Sequence, residues 1–213
     1  MPKHEDMPPA PRSPYASAKL SGELYCRAFS ASYGLETVSL RLFNVFGPRQ
    51  DPASEYAAVV PQFITRMLSG RPPVIFGDGQ QSRDYTYVAN VIQACILAAT
   101  AGDQAVGEAV NTGCEGRTSL LELVATLNEL LGTHIEPVFS APRQGDVRHS
   151  QASVTKAGRL LGYRPLVNLK DGLSRTIEWF DDSERKTPEP AGALLSASKF
   201  STHVNQEGIN GVA

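Results

Sequence analysis

Ser13-Pro14 and Gly34 mark the two ends of a helix, and a strand begins a few residues past the second mark. The strand follows the helix at once. Pro14 suits the first helical turn, where a missing N–H costs nothing, and Ser13 caps the free amides in front of it. The helix spans residues 14–33, with an apolar stripe of Leu20, Leu24, Tyr25 and Phe29, and Gly34 ends it. Residues 37–43 then alternate Val38, Leu40 and Leu42 against Ser39 and Arg41, the period of a strand. That strand breaks into a loop over 44–48, and in open α/β sheets the C-terminal ends of strands are where ligands bind.

The rest of the chain continues the alternation. A helix over 59–68 is followed by a short strand at 74–76 and the Gly77-Asp78-Gly79 turn. Residues 83–88 are extended, and helices at 90–99 and 120–131 flank a strand at 109–111. Ser119 and Glu122 form a capping box for the second of these helices, and both read as packing elements. A strand is predicted at 135–139, a polar loop at 142–150, and closing helices at 155–161 and 169–180. Beyond about 182 the apolar pattern fails, so residues 183–213 read as a disordered tail.

At 213 residues and 41% hydrophobic content the chain can bury a substantial core. A formal charge of −2, with scattered Lys and Arg, offers no basic stripe for nucleic acid. No apolar run approaches the ~20 residues of a membrane span, and residues 1–12 lack the apolar stretch of a signal peptide, so a cytoplasmic protein is expected. Cys26, Cys95 and Cys114 show no metal spacing and read as reduced structural thiols; no metal site is expected. No internal repeat is present.

The chemistry concentrates in four places. Tyr15 and Lys19 lie one turn apart on one helix face. A free phenol titrates near ~10, and a neighbouring ammonium favours its phenolate, which makes such a tyrosine a working base. A bare Tyr-x-x-x-Lys is also what any amphipathic helix shows on its surface. In Gly77-Asp-Gly-Gln-Gln-Ser-Arg83-Asp84 the glycines let backbone turn tightly beside a ligand, and Arg83 offers a planar fork of donors to phosphate. In Pro142-Arg143-Gln-Gly-Asp146-Val-Arg148-His-Ser150, Arg143 offers a second phosphate contact and Asp146 an acceptor for a hydroxyl. Each arginine taken singly is more simply explained by a surface ion pair. Together, two arginines fit a diphosphate.

These motifs, with Arg41-Leu-Phe43-Asn44-Val-Phe-Gly47-Pro-Arg49-Gln50 and in this order, resemble the extended short-chain dehydrogenase/reductase family, and within it the nucleotide-sugar epimerases that invert C4 of UDP-hexoses. The resemblance runs from about Pro9 to Phe180. It implies an α/β fold made of the C-terminal part of a Rossmann-type NAD-binding domain (1–58) and a small α/β substrate-binding domain (59–182, with return segments to the Rossmann core). It further implies that Tyr15 is the acid/base at the sugar 4-hydroxyl, that Lys19 binds the nicotinamide ribose, and that Phe43 lies near the nicotinamide. Asn44 would contact the sugar–diphosphate, Val74, Ile75 and Phe76 would lie along the uracil, and Arg83 and Arg143 would hold the diphosphate. Asp146 would meet the ribose, Ser150 would leave room for a C2 acetamido group, and the 49–52 and 56–59 stretches also resemble the N-acetylhexosamine branch. The implied cofactor is NAD, recycled without net oxidation, and the implied substrate is UDP-GlcNAc/UDP-GalNAc or UDP-Glc/UDP-Gal.

The sequence departs from the family in having no Gly-x-x-Gly-x-x-Gly turn, and only fourteen residues precede Tyr15. The resemblance therefore places the pyrophosphate-binding part of the dinucleotide domain outside this chain, and weak NAD retention and exposed apolar edges are expected. A 4,6-dehydratase or decarboxylase of the same family, a non-catalytic UDP-sugar-binding module, and a half complemented by a separate N-terminal polypeptide remain alternatives. The family homodimer is possible, with its interface incomplete here.

Overall fold

The computed structural model describes residues 1–53, 58–143 and 147–186. In chain order the elements are α1 (Pro14–Tyr33), β1 (Val38–Leu42), β2 (Val45–Phe46), α2 (Val59–Leu68), β3 (Val74–Phe76), β4 (Ser82–Arg83), β5 (Thr86–Tyr87) and α3 (Val88–Ala99). After a 3₁₀ turn come β6 (Glu108–Thr112), β7 (Thr118–Ser119), α4 (Leu120–Leu131), β8 (Val138–Ser140), α5 (Thr155–Leu161) and α6 (Leu169–Lys186). The fold is α/β, with parallel strand pairs and helices between them. The helix ends match their local chemistry. Ser13 accepts the Ala16 N–H at 3.1 Å, and Gly34, at φ 66°, returns its N–H to the Ser30 carbonyl at 3.1 Å.

Two cores organise the molecule. In the first, β1 lies parallel to β6, Val38 opposite Glu108 through Leu42 opposite Thr112, and α3 and α5 pack against the pair. Its centre is Ala94, Val110, Ala157, Leu161 and Tyr163. In the second, α2, α4 and α6 converge on Phe63, Ile64, Met67, Leu123, Leu127 and Leu173. Each fully buried leucine there contributes about 2 kcal/mol. Around this core β2 runs parallel to β5, β3 parallel to β8, and β4 antiparallel to β7. The chain crosses between the cores several times, and Asn90 fixes one crossing. Fully buried on α3, it donates to the Val167 carbonyl at 2.8 Å and accepts the N–H groups of Leu166 and Val167.

The structure differs from the sequence reading at several points. The loop expected at 44–48 contains β2, and β7 is a further strand; each is two residues long and is defined by its partner rather than by any period of its own. The strand expected at 135–139 is Val138–Ser140, because Ile135 is tied instead to Asn128, whose side chain bonds both its N–H and its carbonyl. Helix α6 extends to Lys186, so the first residues of the expected tail are helical; residues 187–213 lie outside the described residues. The apolar stripe of α1 is present but unburied: Leu24 is 55% exposed, Tyr25 67% and Phe29 46%. The helix meets β1 through its other face, where Arg41 forks onto the Glu23 carboxylate at 2.7 Å twice and Thr37 Oγ1 donates to the Cys26 carbonyl. Among the described residues no helix is long and apolar enough to cross a membrane. The three cysteines are unpaired thiols.

Candidate functional site

Six distant pieces of sequence converge on one cavity of about 220 Å³. Asn44 enters from the end of β1, Val74 and Phe76 from β3, Arg83 from β4 and Arg143 from the loop after β8, with α2 and the start of α4 closing the apolar side. Strand alternation explains the selection within β3: Val74 and Phe76 face the cavity, while Ile75 between them is fully buried in the second core. The Arg143 guanidinium lies over the Phe76 ring, 4.0 Å from its centroid, a cation–π contact between two residues that line the cavity. Arg83 donates through Nη1 to the Ser82 carbonyl at 2.9 Å, which holds one prong of its fork.

The loop that carries Arg143 is tied down beyond its own neighbourhood. Ser82 N–H donates to the Arg148 carbonyl and Ser150 N–H to the Ser82 carbonyl, each at 3.0 Å, so residues 148–150 run beside β4. Ser150 thereby sits half-buried beside Arg83's strand. Ser82 Oγ also meets His149 Nδ1 at 2.8 Å, and partial burial with the nearby Arg117, Arg148 and Arg83 holds that imidazole below its usual range. Arg148 forks onto Asp78 at 2.7 and 2.8 Å and, with the Gln80 N–H, draws the Asp78 carboxyl down to about 2. Asp146 lies outside the described residues, as do Tyr56 and Ala57. The Asp78–Arg148 clasp was not foreseen in the sequence; its partners are 70 residues apart, and no local pattern joins them.

Tyr15 and Lys19 line a second, wider cavity of about 690 Å³ with Glu23, Arg41, Leu42 and the Pro9–Pro11 stretch. Lys19 Nζ stands 5.4 Å from the Tyr15 ring centroid, and the tyrosine is 67% exposed. The two cavities draw on neighbouring residues at the end of β1. Leu42 lines the second, Asn44 lines the first, and Phe43 between them bonds its N–H to the Thr112 carbonyl and packs on the first core. The end of β1 thus supplies residues to both the Tyr15–Lys19 cavity and the arginine-lined one, at the strand end where ligands of α/β sheets bind.

The model of the NAD dependent epimerase/dehydratase family matches residues 1–113. The chain belongs to that family. A UDP-glucose 4-epimerase of Mycolicibacterium smegmatis is 41% identical over 179 residues, 84% of this chain and 56% of the relative. The UDP-glucose 4-epimerase of Thermotoga maritima, solved with UDP-glucose, superposes with a TM-score of 0.82 at 45% identity, covering 86% of this chain and 58% of that one. The UDP-N-acetylglucosamine 4-epimerase of Methanobrevibacter ruminantium, in complex with UDP-N-acetylmuramic acid, gives 0.81 at 39% identity with the same coverage. The chain spans rather more than half the length of the relatives it matches.

Family membership brings in NAD, and the residues present fit one end of it. Tyr15 and Lys19 line one cavity, where their hydroxyl and ammonium would meet a ribose and its attached ring. No glycine-rich turn of the dinucleotide kind occurs in the sequence, so these residues do not provide for the pyrophosphate.

Proposed function

We propose that this chain carries the UDP-sugar cavity and the acid/base pair of a nucleotide-sugar 4-epimerase acting on UDP-N-acetylhexosamines. One observation supports it most: Arg83 and Arg143, 60 positions apart, flank a single cavity whose other walls are the apolar β3 face and Asn44. Two guanidinium forks suit a diphosphate, and the Val74–Phe76 strand suits a flat base. The sugar would then lie towards the end of β1, near the Tyr15 cavity. Tyr15 takes the proton of the sugar 4-hydroxyl and returns it after the sugar has turned, while Lys19 presents positive charge where the phenolic oxygen needs it. NAD, when bound, supplies a reversible hydride acceptor. Ser150 leaves space at C2 for an acetamido group. A 4,6-dehydratase shares the same tyrosine, lysine and arginines, and the family name covers both chemistries.

The test is a calorimetric titration of the purified chain with UDP-GlcNAc, with and without NAD. The expected result is saturable binding that an Arg83→Ala/Arg143→Ala double variant loses at least tenfold, the loss of about 1.5–3 kcal/mol per charged hydrogen bond removed. A folded wild-type chain that does not bind contradicts the reading.

A further inference from the structure

Behind the cavity wall lies a carboxylate to which no role in binding or chemistry has been given. Asp84 follows Arg83 directly, so the two side chains leave the strand on opposite sides: Arg83 towards the cavity, Asp84 into the interior, where it is fully buried. Its oxygens accept the Cys114 N–H at 2.9 Å and the Ala152 N–H at 3.1 Å, and the N–H groups of Glu115 and Gly116 also point to it. Burial raises this carboxyl, and the four amides oppose the rise by favouring the charged form.

The amides come from two separate segments. Residues 114–116 lead into β7 and then Leu120, which lines the cavity; Ala152 lies two residues past Ser150, on the loop that bears Arg143. Gly113 shows how closely the parts fit. A Cβ there would stand 2.7 Å from Asp84 Oδ2 and 2.6 Å from the Ala152 Cβ, so the approach of the two segments requires glycine. Tyr163 secures the same point by donating its hydroxyl to the Gly113 carbonyl at 2.9 Å.

We propose that Asp84 is a positioning residue for the diphosphate and sugar side of the cavity, its one carboxylate fixing the 114–116 segment and the 148–152 loop relative to Arg83. The inference rests on the sugar-nucleotide reading of that cavity. The base side, built on β3, does not depend on Asp84, and this asymmetry gives the test.

The full chain is titrated separately with UDP and with uridine, by calorimetry and ligand-observed NMR, as wild type, Asp84→Asn and Gly113→Ala. Asparagine keeps the shape but not the charge that gathers four amides; the alanine keeps the charge and pushes the segments apart. Both variants are expected to lose UDP affinity roughly tenfold or more while holding uridine as wild type does. Equal loss of both ligands, or unchanged UDP affinity in folded variants, overturns the proposal and leaves Asp84 a residue of the fold only. If Asp84→Asn does not fold, Gly113→Ala decides. A wild-type chain that binds neither ligand overturns the cavity reading, and the proposal with it.

Discussion

Ser150 and Arg143 lie seven positions apart in the sequence, and the proposed function assigns them different parts of the ligand. The backbone N–H of Ser150 donates to the Ser82 carbonyl at 3.0 Å, which holds residue 150 beside β4, and on the proposed reading the space beside its short side chain receives the C2 substituent. Filling that space selects against the larger sugar. Ser150→Tyr is expected to weaken UDP-GlcNAc about tenfold and leave UDP-glucose near its wild-type affinity, since crowding penalises only the ligand that needs the room. Titrations with the two sugars check this, and equal affinities for both in the variant would contradict it. The arginines, Asn44 and the Tyr–Lys pair were legible in the sequence because their side-chain chemistry is distinctive. Asp84 was not, because its partners come from segments 30 and 68 positions away and only the fold assembles them.

At the scale of elements, the helices were the readable part. Ser13 with Gly34, and Ser119 with Glu122, are local signals, and the structure closes both: Ser119 accepts the Glu122 N–H while Glu122 accepts the Ser119 N–H at 2.7 Å. The two-residue strands carry no such signal, since a pair of residues has no period and takes its form from its neighbour. Residues 147–150 are likewise held from outside, Arg148 by Asp78. Arg148 lowers the Asp78 carboxyl from its ordinary 3.8 to about 2, so the clasp is complete above the ordinary value and is lost as pH falls through about 2. A carboxyl NMR titration is expected to place Asp78 near that lower value, and Arg148→Ala to return it towards 3.8. A titration that ignores the substitution would contradict the clasp.

Across the whole molecule, the two cores differ in how well they are covered. The second is enclosed by three helices, whereas α1 presents Leu24, Tyr25 and Phe29 outward from the first. The apolar period of α1 was legible in the sequence, but periodicity states which residues share a face and not what covers it. Exposed apolar surface of this kind associates, so the purified chain is expected to sediment as concentration-dependent oligomers, with Leu24→Lys/Phe29→Lys shifting it to monomer. A chain that is monomeric at all concentrations would contradict this. A crystal structure of the chain with UDP-GlcNAc decides whether this cavity holds the sugar nucleotide. The diphosphate is expected between Arg83 and Arg143, the uracil along Val74–Phe76 and the sugar directed towards the end of β1; a nucleotide bound anywhere else overturns the proposed function.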